Sequence, residues 1–374
     1  MKAGIITHYE VHNHGAQLQM YALSQVLKEF DYDAKALRFR KNYDFMGGAQ
    51  IESKYNISLR SVPYYLGYMV KKGLKRTLYN YKKRKVLATF RRDHDLMGDY
   101  YCEAKDIDAV VIGSDEIFSI ESGPNPWYYG IGIPCDKQIS YAASFGPTTL
   151  ELIYERNVDA LLAAGIGKLQ SISVRDKNSF DIVKHLTQKD ATIVCDPVLL
   201  YGFQEEQRSD ALEAFRKKHK KKYCIVYSYD NNMNDAPTVK AIRDYARKRG
   251  LKIYSVAYFH KWCDKNIQAS PLDVFLWFAN AEMVFTDTFH GSVLSLTTGA
   301  QFISQIRGNA NKLAFLLEQY GVEQRKVNDF SCIEDVAAIP IDYTVVDQTI
   351  LKIRQDSREY LQKALGELYA EDKN

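Results

Sequence analysis

Short apolar runs alternate along this chain with longer segments of helical periodicity, and this alternation constrains the fold more than any other feature. Repeats of a short apolar run and a helix-length segment predict βαβ units and a mostly parallel sheet with helices on both faces. The first helix is the clearest, because Leu18, Ala22, Val26 and Phe30 share one stripe. The first series of predicted strands comprises residues 4–7, 36–39, 109–112, 138–145, 171–174 and 191–199.

A second series of strands follows the polar, lysine-rich segment 202–221. A chain of 374 residues usually divides into two domains, so the segment marks the boundary. We predict an N-terminal domain over 1–205, a C-terminal domain over 206–345, and a helix over 346–374 that crosses back. Two Rossmann-like, doubly wound α/β domains facing each other place a ligand in the cleft between them. The second series comprises strands 222–227, 251–257, 283–286 and 302–306 and helices 239–249, 272–281, 292–298 and 349–369.

Composition excludes several classes of protein. The six cysteines form no Cys-x-x-Cys pair, which favours reduced thiols over a disulfide framework or a zinc site. The net charge of +4 is small, and no nucleic-acid-binding module is recognisable. The N-terminus lacks a signal-peptide pattern, and no apolar run is long enough to span a bilayer. We therefore expect a cytoplasmic protein without a nucleic-acid partner.

The segment 286–292, Thr-Asp-Thr-Phe-His-Gly-Ser, holds the best catalytic candidate. It joins a predicted strand to a predicted helix, which puts His290 at a strand end and the amides of Gly291 and Ser292 at a helix N-terminus. Such a terminus suits phosphate or carboxylate, and a histidine exchanges protons near neutral pH. The alternative is a buried structural histidine, but the context favours function.

Two further strand ends carry polar groups. Arg175 follows the strand 171–174 and can grip a carboxylate or phosphate with two hydrogen bonds. The alternative is a surface pair with Asp176. After the strand 109–112, Ser114 and Asp115 can bind hydroxyls or take a proton, although Asp115 can equally cap the next turn.

The first strand-to-helix turn contains His8, His12 and His14 together with Asn13 and Gln17. The histidine spacing is not that of a known zinc site, so we expect no metal. Asn13 and Gln17 are the better candidates for contacting a ligand. No dinucleotide or P-loop fingerprint stands at any strand-to-helix turn.

Residues 65–92 form a basic segment, since Val70 to Arg92 contains ten Lys or Arg residues with apolar residues nearby. This pattern predicts a basic amphipathic helix, which often lies on an anionic membrane surface. The alternative is a solvated basic helix face.

Six short motifs follow one another along the chain: Asn13-His14-Gly15-Ala16-Gln17-Leu18-Gln19-x-Tyr21-Ala22-Leu23, Gly113-Ser114-Asp115, Tyr141-Ala142-Ala143-Ser144-Phe145-Gly146, Ser173-Val174-Arg175-Asp176, Asp196-Pro197-Val198 and Thr286-Asp287-Thr288-Phe289-His290-Gly291. In order and spacing they resemble the polysaccharide pyruvyl transferase family over about residues 1–310. Where that family often has Gln-Val-Trp after its Gly-Ser-Asp, this chain has Glu116-Ile117-Phe118, a change expected to alter the acceptor pocket.

The resemblance implies a GT-B-like fold and transfer of pyruvate from phosphoenolpyruvate to a sugar as a cyclic ketal, with release of phosphate. The acceptor is then a surface polysaccharide or its polyprenyl-diphosphate-linked precursor, and the reaction needs no metal or other cofactor. His290 and Asp115 are expected to be catalytic. The expected donor-binding residues are Arg175, Thr288, His290, Gly291 and Ser292, and the expected acceptor-binding residues are Asn13, Gln17, Ser114 and Asp115.

Two other functions stay open at this point. A glycosyltransferase that uses a nucleotide sugar could be built on the same fold. A catalytically idle scaffold for surface assembly is the third possibility, which the repeated clustering of polar residues at strand ends disfavours.

Overall fold

A computed structural model describes residues 1–40, 62–121, 123, 125–307 and 311–366. Its first sheet has seven parallel strands in the spatial order β3-β2-β1-β4-β5-β6-β7. Five of the six predicted strands overlap an observed strand closely, and the four-residue strand after the basic segment was not predicted. The strands are β1 Lys2–Ile6, β2 Asp33–Arg38, β3 Met97–Tyr100, β4 Ala109–Asp115, β5 Gln138–Ala143, β6 Ser173–Val174 and β7 Thr192–Ile193.

The second sheet has six parallel strands in the order β10-β9-β8-β11-β12-β13. In each sheet the strand order reverses at one place, between β1 and β4 in the first and between β8 and β11 in the second. Such switch points are where open α/β sheets bind ligands. The strands are β8 Tyr223–Tyr227, β9 Lys252–Val256, β10 Lys265–Ile267, β11 Met283–Thr286, β12 Phe302–Gln305 and β13 Lys326–Val327.

The helices lie on both faces of these sheets, so the predicted pair of doubly wound α/β domains is confirmed. In the first domain they are α1 His14–Glu29, α2 Val62–Lys72, α3 Leu74–Asp93, α4 Leu150–Glu155, α5 Asp159–Ile166, α6 Lys177–Thr187 and α7 Pro197–Tyr201. In the second half of the chain they are α8 Ser209–Lys218, α9 Ala236–Lys248, α10 Asp273–Ala279, α11 Phe289–Thr298, α12 Asn311–Gln319, α13 Ile333–Ala338 and α14 Tyr343–Gly366.

A continuous apolar core joins the two domains. It runs from Ile5 and Leu18 beside the first sheet to Phe275 of α10 and Leu361 of α14. Phe203 lies at its centre, with its ring stacked on that of Phe275 at a centroid distance of 4.3 Å. Two further apolar clusters each lie within one domain, one around Ile112 and the other around Phe285.

The structure corrects two predicted elements. The strand predicted over 191–199 ends at Ile193, because Asp196 accepts a hydrogen bond from the Val198 amide at 3.0 Å and Pro197 starts α7. The helix predicted over 292–298 starts three residues earlier, because Thr288 caps it.

The last helix, α14, starts at Tyr343 rather than at 349, and residues 367–369 of the predicted helix lie outside the described residues. It lies against the first domain: Ser357 Oγ accepts a hydrogen bond from the Cys195 amide at 3.0 Å, and Tyr360 donates to the Ser140 carbonyl at 2.9 Å. The domain limits 1–205 and 206–345 stay predictions. All six cysteines are free thiols.

Candidate active site

The loops that follow the switch-point strands converge between the two sheets. Asp115 ends β4, and the segment after β11 enters α11 at Phe289. Asn13, which precedes α1, accepts a hydrogen bond from the Tyr258 hydroxyl of the second domain at 3.4 Å. The candidate residues from both halves of the chain therefore meet in one interdomain cleft.

Arg175 lies at the centre of this cleft with 3% of its surface exposed. One terminal nitrogen donates to Asp115 Oδ1 at 2.8 Å, and the other donates to Asp196 Oδ2 at 3.0 Å. The guanidinium also lies over the Phe289 ring, 4.3 Å from its centroid. Asp176 caps α6 by accepting from the Ser179 amide at 2.8 Å. The alternative of a surface pair between Arg175 and Asp176 is thus wrong.

The charges of this cluster stabilise one another. Burial raises the pKa of Asp115, but Arg175, His290, His8 and Lys312 outweigh it and bring the pKa well below its usual range. Burial lowers the pKa of Arg175, and the surrounding carboxylates outweigh it, so that the pKa is raised. Asp115 is therefore a carboxylate throughout the physiological range, suited to accepting hydrogen bonds.

His290 is the second residue of α11 and is 6% exposed. Its Nε2 lies 3.8 Å from Asp196 Oδ2 and is buried with no hydrogen-bond partner among the residues described. The imidazole packs against Gly15, where an added Cβ would lie 2.2 Å from His290 Cγ. A buried ring nitrogen left without a partner is uncommon, and it makes His290 available to a substrate.

At the start of α11, the backbone amides without an acceptor are not the ones that the sequence predicted. Thr288 Oγ1 accepts a hydrogen bond from the Gly291 amide at 2.9 Å, and the Ser292 amide donates to the Thr288 carbonyl. The amides of Phe289 and His290 have no acceptor among the described residues. The expectation that Gly291 and Ser292 offer free amides is therefore wrong, and the positive end of the helix is presented by the two preceding residues.

The predicted acceptor residues are held by hydrogen bonds within the protein. Gln17 Nε2 donates to the carbonyls of Tyr9 and Val11, and Gln17 Oε1 accepts from Arg91 at 3.0 Å. These three hydrogen bonds of Gln17 shape the loop after β1.

Ser114 is fully buried, and its hydroxyl donates to Gln19. Asn13 Oδ1 accepts from the Gly15 amide at 2.8 Å, and Asn13 Nδ2 donates to the Tyr229 hydroxyl at 3.4 Å. Among the four, Asn13 and the partly exposed Asp115 have side chains at the cleft surface.

A cavity of about 250 Å³ opens beside Phe289, and the sequence argument missed most of the residues around it. Two cations line it: Lys312 pairs with Glu116 across the domains, and Arg307 Nε lies 3.0 Å from Asp287 Oδ2. Arg307 follows β12 and therefore carries the same sequence signal as the other polar residues at strand ends. Lys312 is the second residue of α12 and carried no such signal.

The carboxyl of Asp287 also faces this cavity. Burial raises its pKa even though Asn232 donates a hydrogen bond at 2.8 Å and Arg307 is near. Its Oδ1 is buried without a partner among the described residues. Both Asp287 and His290 thus present an unpartnered polar atom near the start of α11.

The described residues contain no cluster of three or more potential metal-binding side chains. His14 is buried, and its Nε2 is 2.9 Å from the Ala269 carbonyl of the second domain. Burial lowers the pKa of His14 to about 3. It therefore forms a neutral interdomain hydrogen bond.

The basic segment forms α2 and α3, and part of its charge faces the second domain. Arg76 Nε pairs with Asp230 at 3.0 Å, and Lys83 is buried with its ammonium 3.3 Å from the Ala257 carbonyl. Tyr65, at the start of the predicted segment, has a side chain outside the described residues. Within the described part of the chain, no helix has the length and apolar character needed to cross a bilayer.

Comparisons with known structures agree with this architecture. A UDP-GlcNAc 2-epimerase from Methanocaldococcus jannaschii superposes with a TM-score of 0.51 and 11% identity, covering 94% of this chain and 99% of that one. A putative UDP-N-acetylglucosamine 2-epimerase from Listeria monocytogenes gives 0.53 and 10%, covering 100% and 95%. At these identities the likeness shows the GT-B-like fold alone. No curated protein matches the chain.

A profile of one sequence family matches most of the chain. The matched region, residues 13–304, includes strands of both sheets and contains Asn13, Asp115, Arg175 and His290. The order of the motifs and the convergence of their side chains in one cleft agree with that match. The chain belongs to the polysaccharide pyruvyl transferase family.

Proposed function

We propose that this protein transfers pyruvate from phosphoenolpyruvate to a sugar of a surface polysaccharide, or of its lipid-linked precursor, at the cytoplasmic face of the membrane. The product is a cyclic ketal, and phosphate is released. The observation that carries the proposal is the unpartnered Nε2 of His290, which lies beside Arg175 and the first amides of α11 at a family motif. The scheme requires no metal or other cofactor.

The proton balance assigns His290 its role. Protonation of the donor's methylene carbon makes the central carbon electrophilic, one sugar hydroxyl then adds to it, and a second hydroxyl displaces phosphate. One proton is gained by carbon, and each attacking hydroxyl loses one. A histidine can deliver the first proton and receive one of the others, and the departing phosphate takes the second. Asp196 Oδ2 lies 3.8 Å from the same ring nitrogen.

The donor carries a carboxylate and a phosphate, so its site must supply cations and N–H groups. Arg175 retains donors, because a guanidinium carries five N–H groups and its Nε is unpartnered. Lys312 and Arg307 line the adjacent cavity. We place the donor between Arg175, the free amides of α11 and these two cations, with Thr288, Gly291 and Ser292 supporting the helix turn.

Asp115 is placed to orient the acceptor. Its low pKa makes it a weak base, so it serves best by accepting a hydrogen bond from an attacking hydroxyl. Asn13 lies at the cleft surface and provides a second polar contact. Ser114 and Gln17 act indirectly, through Gln19 and through the loop after β1.

The competing function is transfer of a sugar from a nucleotide sugar, since a structural neighbour was solved with UDP-GlcNAc and UDP. Ligand-induced stabilisation separates the two. At about 100 times its Kd a ligand raises the free energy of unfolding by about 2.7 kcal/mol. We expect phosphoenolpyruvate to raise the melting temperature and UDP-GlcNAc to leave it unchanged. The reverse pattern would favour the glycosyltransferase.

A matched pair of variants tests the placement of the donor. Lys312→Met removes a cavity cation, whereas Lys240→Met removes an exposed cation that pairs with Asp244 on α9. We expect only Lys312→Met to weaken phosphoenolpyruvate binding. Equal effects of the two changes on phosphoenolpyruvate binding would show that Lys312 does not contact the donor.

A further inference from the structure

The outer surface of α2 and α3 exposes apolar side chains that a helix on a soluble domain normally buries. Val70 is 86% exposed, the largest value among the exposed large apolar residues that the structure describes. The others in this surface are Leu66 at 53%, Leu74 at 57%, Leu78 at 49% and Tyr81 at 48%. Within each helix their spacing of three or four residues places them on one side, Leu66 and Val70 on α2 and Leu74, Leu78 and Tyr81 on α3.

The same surface carries positive charge without acidic residues. No Asp or Glu occurs between Val62 and Arg92. Exposed lysines flank the apolar side chains, and Lys85 lies 4.8 Å from the centroid of the Tyr81 ring. Within the described residues, no carboxylate pairs with Lys71, Lys75, Lys82 or Lys85. We call these four lysines and the five apolar residues the outer surface.

The opposite side of α3 is fixed to the second domain. Arg76 pairs with Asp230, the Tyr79 hydroxyl donates to the Ile267 carbonyl at 2.8 Å, and Lys83 is buried. These contacts determine the orientation of the helix, so it cannot roll to bury Leu74 or Leu78. The apolar exposure is therefore a property of the docked helix.

This helix lies at the rim of the cleft. Its partners Asp230, Ala257 and Ile267 stand at the carboxyl ends of β8, β9 and β10. The hydroxyls of Tyr229 and Tyr258, from the same loops, contact Asn13. Any partner that binds the outer side of α3 would therefore lie close to the acceptor side of the cleft.

We propose that the outer surface docks on an anionic lipid bilayer. Apolar side chains among unpaired lysines are the combination that inserts into the headgroup region and is attracted by negatively charged lipids. A second copy of the chain is disfavoured as the occupant, because a symmetric contact would bring the lysines of both copies together. The inference deepens the proposed function, since it names the surface behind the membrane location proposed there, and it does not depend on which donor is used.

Flotation of the whole protein with vesicles tests the proposal. One set of vesicles contains phosphatidylcholine with about one third phosphatidylglycerol, and the other contains phosphatidylcholine alone. We expect flotation with the anionic vesicles and not with the neutral ones, weakening as salt is raised. Failure to float with anionic vesicles, or equal flotation with both, would overturn the proposal.

Charge and apolar variants then locate the contact. Each lysine near an anionic surface contributes about fivefold to binding, so Lys71→Glu, Lys75→Glu and Lys82→Glu together should lower vesicle affinity by about a hundredfold or more. Val70→Ser with Leu74→Ser should lower it with the charges unchanged. The control, Lys220→Glu with Lys221→Glu, changes exposed lysines after α8.

The control should float like the unchanged protein. If it loses as much affinity as the outer-surface variants, only net charge matters and the proposed surface is wrong. Sedimentation of the free protein at the same concentrations identifies self-association. A dimer that the Val70→Ser and Leu74→Ser changes dissolve would assign the surface to a second copy and overturn the proposal.

Discussion

Gly15 of the first domain lies directly against the imidazole of His290 of the second. A Cβ at position 15 would lie 2.2 Å from His290 Cγ and 2.5 Å from Nδ1, so only glycine allows this approach. Since Gly15 is the second residue of α1 and His290 the second of α11, the contact joins the two helices that follow switch-point strands. The position of the catalytic candidate is thus set by both domains.

Gly15→Ala should displace the imidazole and lower turnover at least tenfold, with a loss of about 1–3 kcal/mol in the free energy of unfolding. Gly67→Ala is the control, because an added Cβ there has no neighbour within 4 Å. Turnover and urea unfolding of both variants provide the measurement. Normal turnover in Gly15→Ala would mean that the ring position does not matter.

His290→Ala should reduce turnover by about 10²- to 10⁴-fold, the usual contribution of a general acid or base, while leaving the fold intact. His185→Ala is a control, because that histidine lies in α6 beside the Tyr154 hydroxyl at 3.0 Å. Steady-state rates and circular dichroism of both variants test this. Near-normal turnover of His290→Ala would refute a catalytic role.

Arg175→Met should destabilise the protein by about 3–5 kcal/mol, because it leaves the buried carboxylate of Asp196 and the mostly buried carboxylate of Asp115 without their cation. Adding Asp196→Asn to Arg175→Met removes one of those charges, so we expect part of the stability to return. Urea unfolding of the single and double variants measures both effects. If adding Asp196→Asn restored no stability to the Arg175→Met variant, the charges of Arg175 and Asp196 would not be coupled.

Because the fold keeps His14 neutral, the protein should lose stability in acid. Its pKa is lowered to about 3 in the folded protein, whereas the unfolded chain takes up a proton below about pH 6.5. The unfolded state therefore binds more protons between these values, and the free energy of unfolding falls as the pH falls, by up to about 1.4 kcal/mol per pH unit from this group. Above pH 6.5 the effect is absent.

His14→Gln can keep a hydrogen bond to the Ala269 carbonyl and cannot titrate. Its stability should depend less steeply on pH than that of the unchanged protein between pH 6.5 and 4. Chemical unfolding at several pH values gives the comparison. Parallel curves for the two proteins would show that His14 is not held neutral in the fold.

The sequence predicted the two sheets well, because their central strands are continuous apolar runs such as 109–112 and 223–227. It missed β3, β10 and β13, since Met97–Tyr100 is polar and the other two are only two or three residues long. The helix caps could have been predicted, because Asp196 before Pro197 and Thr288 before α11 are ordinary helix-start signals.

The partners of Arg175 could not be predicted in the same way. Asp115 and Asp196 lie 60 and 21 residues away along the chain, and the strand order brings all three together. The interdomain contacts of His290 with Gly15 and of Lys312 with Glu116 also depend on how two sheets face each other. Periodicity along one chain contains no information on that arrangement.

Phosphate release from phosphoenolpyruvate in the presence of candidate saccharides, with NMR detection of the ketal methyl group, tests the central claim most directly. The account predicts that phosphate and ketal appear in equal amounts, only when donor and acceptor are both present, and that His290→Ala produces neither at a comparable rate. Sugar transfer from a nucleotide sugar by the same protein, with phosphoenolpyruvate left intact, would contradict it.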